Sequence, residues 1–495
     1  MRTGRNFLYN LLGAGLPLAL AAVAVPALGR LAGYERLGFL TIVWAAIGYL
    51  GILDLGLSRV FARRIAVSAA SGDLPAETAF LRWIAVRLFG LSCVIAAVVA
   101  VAVPPSWLAG AQATPEWREE VRQAWWLMSA SIPALVLSNL WRGAMEGREA
   151  FGAVNALRVL MGAWTFGAPL LLLPFSRTLP ALVGGVVLGR WISLVLHREW
   201  CRRRLPWSAK LDEKAAHARG DALRHAFGEG AAITVSGVIS PLMVVFDRFV
   251  LGGVAALGSV AIYAIPQEIV LRLVLVPALL AGVLFPRMAV LARTDSAAGS
   301  ELIDRATRVT VLLQLPACLA LAALAEPLLG LWLGKDVGDR AAPILRWLLA
   351  GCILNTAAQV PFAHLQASGR SRLTARFHLA EIVPYVLFLL WAVKSYGALG
   401  AAWAWSARCA VDAGLLLAMN WILDRRAVTP RNVAALASAS CAALIAALAG
   451  EGGQPPAAWM LLALALGGVS AALALRRSEL RELLQRVRAL RGAAQ

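Results

Sequence analysis

Charge is scarce in this chain: 15% of its 495 residues are charged, against about 25% in a typical soluble domain. Lysine is almost missing, with only Lys210, Lys214, Lys335 and Lys394, and there are five histidines and six tyrosines. No stretch between the apolar runs is long enough to fold as a soluble domain of its own. These shortages exclude a water-soluble enzyme. The motifs of cofactor chemistry are missing too: no Gly-rich Lys loop for a nucleotide, no His-Glu-x-x-His, no cysteine pairs at metal spacing. Five of the six cysteines (Cys93, Cys318, Cys352, Cys409, Cys441) sit inside apolar runs and Cys201 lies in a basic stretch, so neither a disulfide framework nor a metal site is expected. The histidines, scattered in or beside polar segments, read as surface residues. We expect no cofactor, and a protein that is not an enzyme.

What the chain has is hydrocarbon: 60% of its residues are hydrophobic and its mean hydropathy is +0.71. Runs long enough to cross a bilayer core of about 30 Å fall at 7–29, 38–57, 81–103, 124–141, 159–174, 181–198, 228–250, 258–284, 309–325, 343–363, 378–395, 398–420, 433–450 and 458–475. The expected fold is an all-α polytopic membrane protein of about fourteen transmembrane helices. The first run exceeds the apolar core of a signal peptide, about 7–15 residues, and reads as a retained helix. The net charge of +19 is distributed unevenly. With the N-terminus inside, 33 Lys/Arg fall in inner segments and 8 in outer loops, the positive-inside bias. Both termini are therefore expected to face the cytoplasm. The basicity answers anionic membrane lipids, and nucleic acid is not needed to explain it.

The longest polar segment, 201–227, carries Arg202, Arg203, Arg204, Lys210, Lys214, Arg219 and Arg224 and divides six spans from eight. Sequence on either side repeats at a near-constant offset: Leu28-Gly29 as Leu251-Gly252, Phe61-Ala62-Arg63 as Phe285-Pro286-Arg287, Gly147-Arg148 as Gly369-Arg370. Six spans separate equivalent positions, so the repeats share one orientation, as in transporters built from parallel repeats. The expected organisation is an N-terminal six-helix lobe (1–200), a basic cytoplasmic linker (201–227), a C-terminal six-helix lobe (228–425), two extra transmembrane helices (426–475) and a basic amphipathic tail on the inner leaflet (476–495).

Ionisable groups inside spans cost at least about 2.5–3.5 kcal/mol at the bilayer centre and tend to face a partner or an aqueous cavity. Arg190, Glu268, Arg272, Arg408 and Asp412 fall nearest mid-span; Asp54, Arg87, Asp247, Arg248, Arg346 and Glu381 lie nearer the ends. Glu268/Arg272 and Arg408/Asp412 are each four residues apart, so each pair shares a helix face. Either the pairs neutralise each other structurally, or they line a net cationic lumen suited to a phosphate-bearing substrate. Trp164, Trp403 and Trp405 are deep enough to line a sugar-compatible wall, although helix packing explains them as well. Prolines at 17, 26, 241, 266 and 277 break or bend spans.

The segment Gly33-Tyr34-Glu35-Arg36-Leu37-Gly38-Phe39, then Ile52-Leu53-Asp54-Leu55-Gly56-Leu57 and Arg63-Arg64-Ile65-Ala66, resembles the polysaccharide-transport branch of the multidrug/oligosaccharidyl-lipid/polysaccharide (MOP) exporter superfamily. Phe246-Asp247-Arg248-Phe249-Val250-Leu251-Gly252, Pro277 with Phe285-Pro286, and Glu146-Gly147-Arg148 with Asn155 carry the same resemblance, which covers essentially the whole chain. It implies two pseudo-symmetric six-helix lobes around a central cavity plus two C-terminal helices, and a flippase in the bacterial inner membrane. The implied substrate is a polyprenyl-diphosphate-linked oligosaccharide; the implied partners are polysaccharide polymerase or assembly proteins. By the same resemblance Arg190, Arg272 and Arg408 are candidates to engage the diphosphate and Glu268 or Asp412 to couple an ion gradient. Asp54, Arg87, Asp247 and Arg248 are candidate gate residues, and the last two helices a groove for the lipid tail. The rival readings are a drug-type exporter of the same superfamily and a membrane glycosyltransferase or polymerase.

Overall fold

The computed structural model describes residues 17, 19–50, 57–102, 104–109, 113–208, 243, 246–448 and 456–474. Asp54, most of the 201–227 linker and the 476–495 tail lie outside the described residues. The described chain is helical throughout: α1 (Ala19–Ala32), α2 (Tyr34–Leu50), α3 (Leu57–Ser71), α4 (Leu74–Ala102), α5 (Pro105–Ala109), α6 (Pro115–Ala130), α7 (Ile132–Gly147), α8 (Phe151–Leu172) and α9 (Leu179–Arg204). Residues 246–254 form α10. Then come α11 (Leu257–Thr294), α12 (Ser296–Ala323), α13 (Ala325–Leu333), α14 (Lys335–Ala367), α15 (Ser371–Leu423), α16 (Pro430–Leu448) and α17 (Pro456–Ala474). Eight of these helices are long and apolar enough to cross a membrane. A multi-pass helical membrane protein is the only fold class these lengths allow, because lipid leaves no other partner for backbone polar groups.

Helix breaks fall where local chemistry puts them. Gly33 takes φ +94° between α1 and α2, and Gly397 takes φ +58° in the middle of α15. That second break lies between the eleventh and twelfth sequence runs, so α15 is two spans joined at one glycine. The fourth run is likewise two helices, α6 and α7, meeting at Ser131 before Pro133. The helices group into two compact units, residues 1–261 and 262–495. Corresponding elements keep the sequence offset: α4 begins at Leu74 and α12 at Ser296, 222 residues on.

Within the first unit, α7 lies directly on α3. A Cβ on Gly143 would collide with the Ser58 backbone, and one on Gly147 with the Ala62 carbonyl. The two glycines are four apart, so they strip one face of α7 and let the backbones approach, the small-xxx-small packing of membrane helices. Gly38 of α2 does the same against the Leu257 carbonyl. Arg36 forks onto Glu120 at 2.8 and 3.1 Å, Glu120 also accepts from the Leu179 N–H at 3.0 Å, and Arg64 forks onto buried Glu77 at 2.5 and 2.9 Å. The residues carrying the family resemblance are thus largely packing and pinning residues.

Within the second unit, α14 is the most enclosed helix, wrapped by α12, α13, α15 and α16. Gly351 on α14 receives Trp405 and Ser406 of α15, and the Ser406 hydroxyl donates to the Trp347 carbonyl at 2.8 Å. Trp405 is therefore a packing residue. So is Trp164 in the first unit, which donates to the Gly185 carbonyl at 2.8 Å.

Candidate functional site

The second unit buries a set of ionisable side chains between the two arms of α15. From the first arm come His378, Glu381 and Tyr385; from the second come Arg408 and Asp412. Glu381 is 5% exposed and Arg408 8%. The arms turn back on each other at Gly397, which brings residues about thirty positions apart in sequence to the same level. His378 Nε2 lies 3.9 Å from Asp412 Oδ1, the Arg408 guanidinium sits 5.8 Å from the Tyr385 ring centre, and Glu381 lies within electrostatic reach of both Asp412 and Arg408. Both Glu381 carboxylate oxygens, Asp412 Oδ1 and Arg408 Nε are enclosed without a hydrogen-bond partner. Ionisable groups enclosed in this way are costly in a membrane interior, which makes the cluster a candidate functional site.

A second feature lies in the same unit. Leu354 and Ala357 of α14, Ala410, Ala413, Gly414, Leu417 and Trp421 of α15, and Val433, Leu436 and Ala437 of α16 line an apolar groove of about 490 Å³. Small residues on the facing helices leave the space; a Cβ on Gly414 would meet nothing within 4 Å. At the end near Trp421 the wall is completed by Val428 and Pro430, and the Arg425 guanidinium stacks 5.4 Å from the Trp421 ring centre. Hydrocarbon along its length and a cation at its mouth suit an anionic amphiphile.

The structure also places the other residues singled out from sequence. Arg190 donates to the Thr165 hydroxyl at 2.5 Å, joining α9 to α8. Glu268 and Arg272 pair at 3.4 Å on the surface of α11, 47% and 58% exposed. Arg87 is exposed and folds over Trp83 on its own helix. Asp247 and Arg248 are buried; the Arg248 N–H donates to Asp247 at 2.7 Å and its guanidinium to the Thr41 carbonyl at 3.4 Å. Arg346 is buried against the Ala322 carbonyl and reaches Glu326. The structure therefore brings together Arg408, Asp412 and Glu381, and adds His378 and Tyr385.

One reading of the sequence needs correction. His378 and His197 are buried rather than on the surface: each is carried on an inward helix face, and His197 is held by the Ser193 carbonyl at 2.7 Å. The signal that could have joined His378 to Glu381 was their shared α15 face, three residues apart, opposite Arg408 and Asp412 across the Gly397 turn.

The fold is that of a multi-pass helical membrane protein, similar to transporters of the MOP superfamily. The model of the polysaccharide biosynthesis protein family matches residues 3–292, and the chain belongs to that family. It is 31% identical over 429 residues, 85% of this chain and 97% of the relative, to a Shigella flexneri protein named as an O-antigen transporter. Among solved structures, the lipid II flippase MurJ in an inward closed conformation is similar at TM-score 0.68 and 12% identity, covering 97% of this chain and all of that one. An inward-facing multidrug resistance MATE transporter is similar at TM-score 0.62 and 13% identity, covering 83% and 97%.

Proposed function

We propose that this protein is a lipid-linked oligosaccharide flippase, moving polyprenyl-diphosphate-linked sugar units from the inner to the outer leaflet of the bacterial cytoplasmic membrane by alternating access. The observation that carries the reading is the apolar groove of the second unit with Arg425 at its mouth. A small cationic drug has no use for a hydrocarbon channel ending in a guanidinium, whereas a polyprenyl diphosphate matches both its parts. Family membership and the likeness to an O-antigen transporter support the sugar. Arg272 and Arg408 of the second unit supply cations for the diphosphate, and Arg190 is the candidate cation of the first. Of these Arg272 is the most open to a ligand, because it is exposed and its pairing with Glu268 is loose. Asp412 with Glu381 couples transport to a proton gradient, and Arg87, Asp247, Arg248 and Asp54 act near span ends. Both termini face the cytoplasm, and assembly proteins such as a polymerase take the product on the far side.

The test is flipping of a polyprenyl-diphosphate oligosaccharide by the full chain in liposomes. Gly414→Leu fills the groove from a helix position that gains helical propensity, so it should fold and stop transport. Arg272→Ala should abolish flipping at normal abundance, since an exposed pair contributes only about 0–1 kcal/mol to stability. Arg272→Lys should retain part of it as a point charge without the bidentate fork. The Glu268→Gln/Arg272→Ala double variant should remain inactive; an active one returns this pair to a structural role. For orientation, single cysteines at Ala113 and Ala209 should react with impermeant thiol reagents from opposite sides, outside and inside respectively; same-side labelling would refute the arrangement.

A further inference from the structure

The short linker between α15 and α16 runs along the apolar groove: Val428 within it and Pro430, the first residue of α16, form part of the wall. So short a linker has no long helix face to bury, yet it is held at both ends by one face of α12. Ser300, Asp304 and Arg308 lie four residues apart, one above the other. The Ser300 hydroxyl donates to Asp424 Oδ2 at 2.7 Å, where Asp424 also receives the Arg426 N–H at 2.9 Å. Asp304 Oδ1 receives both the N–H and the hydroxyl of Thr429 at 2.9 Å. Thr429 in turn receives the Asn432 N–H at 3.2 Å, capping α16, and the Asn432 side chain returns to the Asp304 carbonyl at 3.4 Å. Asp304 is paired with Arg308, and both are 2% exposed.

A buried ion pair is a poor way to gain stability, since apolar residues of the same volume commonly do as well or better. It is a good way to specify one geometry, because a carboxylate that takes two hydrogen bonds from one residue tolerates little displacement. The residue so fixed, Thr429, lies between Val428 of the linker and Pro430 at the start of α16, both of which line the groove. We propose that Asp304 is a positioning residue for the groove mouth: through Thr429 it holds Val428 and Pro430 at the spacing that admits a long hydrocarbon chain beside Trp421. The inference rests on the reading of the groove as the site of a polyprenyl tail. It adds that the tail is selected by a polar clasp that never touches it.

The experiment measures binding of two probes to the full chain in nanodiscs: a long-chain polyprenyl diphosphate and farnesyl diphosphate, which has the same head and a short tail. Thr429→Val removes the hydroxyl donor and the cap while keeping the backbone N–H; Thr429→Ser keeps all three. The Asp304→Asn/Arg308→Met variant removes both buried charges at once, which is tolerated better than removing one. Thr429→Val and the double variant should weaken the long-chain probe about tenfold relative to farnesyl diphosphate, and Thr429→Ser should bind like the parent. Where the double variant does not accumulate, the Thr429→Val and Thr429→Ser pair carries the test. A folded Thr429→Val chain with unchanged preference between the probes, or with equal loss for both, overturns the proposal. Gly414→Phe, which blocks the groove directly, separates the two levels. If it leaves long-chain binding intact, the groove is not the tail site; if it abolishes that binding while the clasp variants do nothing, only the clasp is refuted.

Discussion

The two units share a helical frame at an offset of 222 residues and fill it with different chemistry. His378, Glu381, Tyr385 and Arg408 of the second unit correspond to Ala156, Val159, Ala163 and Val186 of the first, and Asp412 corresponds to Arg190. One pair of arms buries a cluster of ionisable groups; the corresponding positions of the other are apolar apart from Arg190, which sits on a threonine hydroxyl. The clasps differ in the same way. In the first unit Arg82 of α4 donates to the Trp207 carbonyl; 222 residues on, Asp304 of α12 accepts from Thr429. Both tie the helix to the segment leaving the sixth span of the unit, with donor and acceptor exchanged. A repeat therefore preserves where an element must be tied, while the tie itself changes with the structure that the tied segment leads into. Among the described residues, the second unit continues into helices that build a groove.

The largest effect should come from Arg408→Ala. It leaves Glu381 and Asp412 buried without their cation, a loss of about 3–5 kcal/mol, read as a marked drop in melting temperature in detergent. The corresponding Arg190→Leu should cost at most about 1.5 kcal/mol, since it gives up one hydrogen bond. Equal losses would break the contrast between the units. Close behind, Gly143→Val should prevent normal accumulation, because the Ser58 backbone occupies the space of the new side chain. Gly414→Val, whose Cβ meets open space, should accumulate normally; the check is membrane abundance by immunoblot. An intermediate effect is expected for Arg82→Met, about 1–2 kcal/mol, from the lost Trp207 carbonyl bond and the cation–π contact at 5.2 Å. A neutral result would remove the clasp from the first unit.

The smallest effect concerns pH. Hydrogen bonds from the Arg426 N–H and the Ser300 hydroxyl hold the Asp424 carboxyl below the usual carboxylate range. Its folded pKa lies below the unfolded value of about 3.9, so the contribution is complete above that value and disappears as pH falls through the folded pKa. Asp424→Asn should flatten the acid limb of the melting-temperature profile between about pH 5 and about pH 3, with little change near neutrality. A wild-type acid limb identical to that of the variant would show that this carboxylate contributes nothing.

Much of the fold was legible in advance because lipid simplifies the rules. A span must be long, apolar and helical, so the apolar runs and the offset between repeats read directly from composition and spacing. Even the Gly397 break was visible as the gap between two runs. The site was less legible. Depth along a helix is a one-dimensional quantity, and it ranked Arg190, Arg272 and Arg408 together. Which way a helix face points is not contained in its own sequence when the helix is apolar all round. The structure separates the three: Arg272 exposed, Arg190 on a hydroxyl, Arg408 in a buried cluster with residues from the other arm.

The sequence by itself determined that this chain is a many-spanned helical membrane protein with motifs of the polysaccharide-transport branch. Those properties follow from transfer free energies and local turn chemistry, which act residue by residue. Only the tertiary structure decided that Glu381 and His378 meet Arg408 and Asp412, that Gly147 is required by the approach of α3, and that Asp304 governs a linker 125 positions away. Each of these depends on which helix faces which, and that choice is made by packing between surfaces that are equally hydrophobic before they meet.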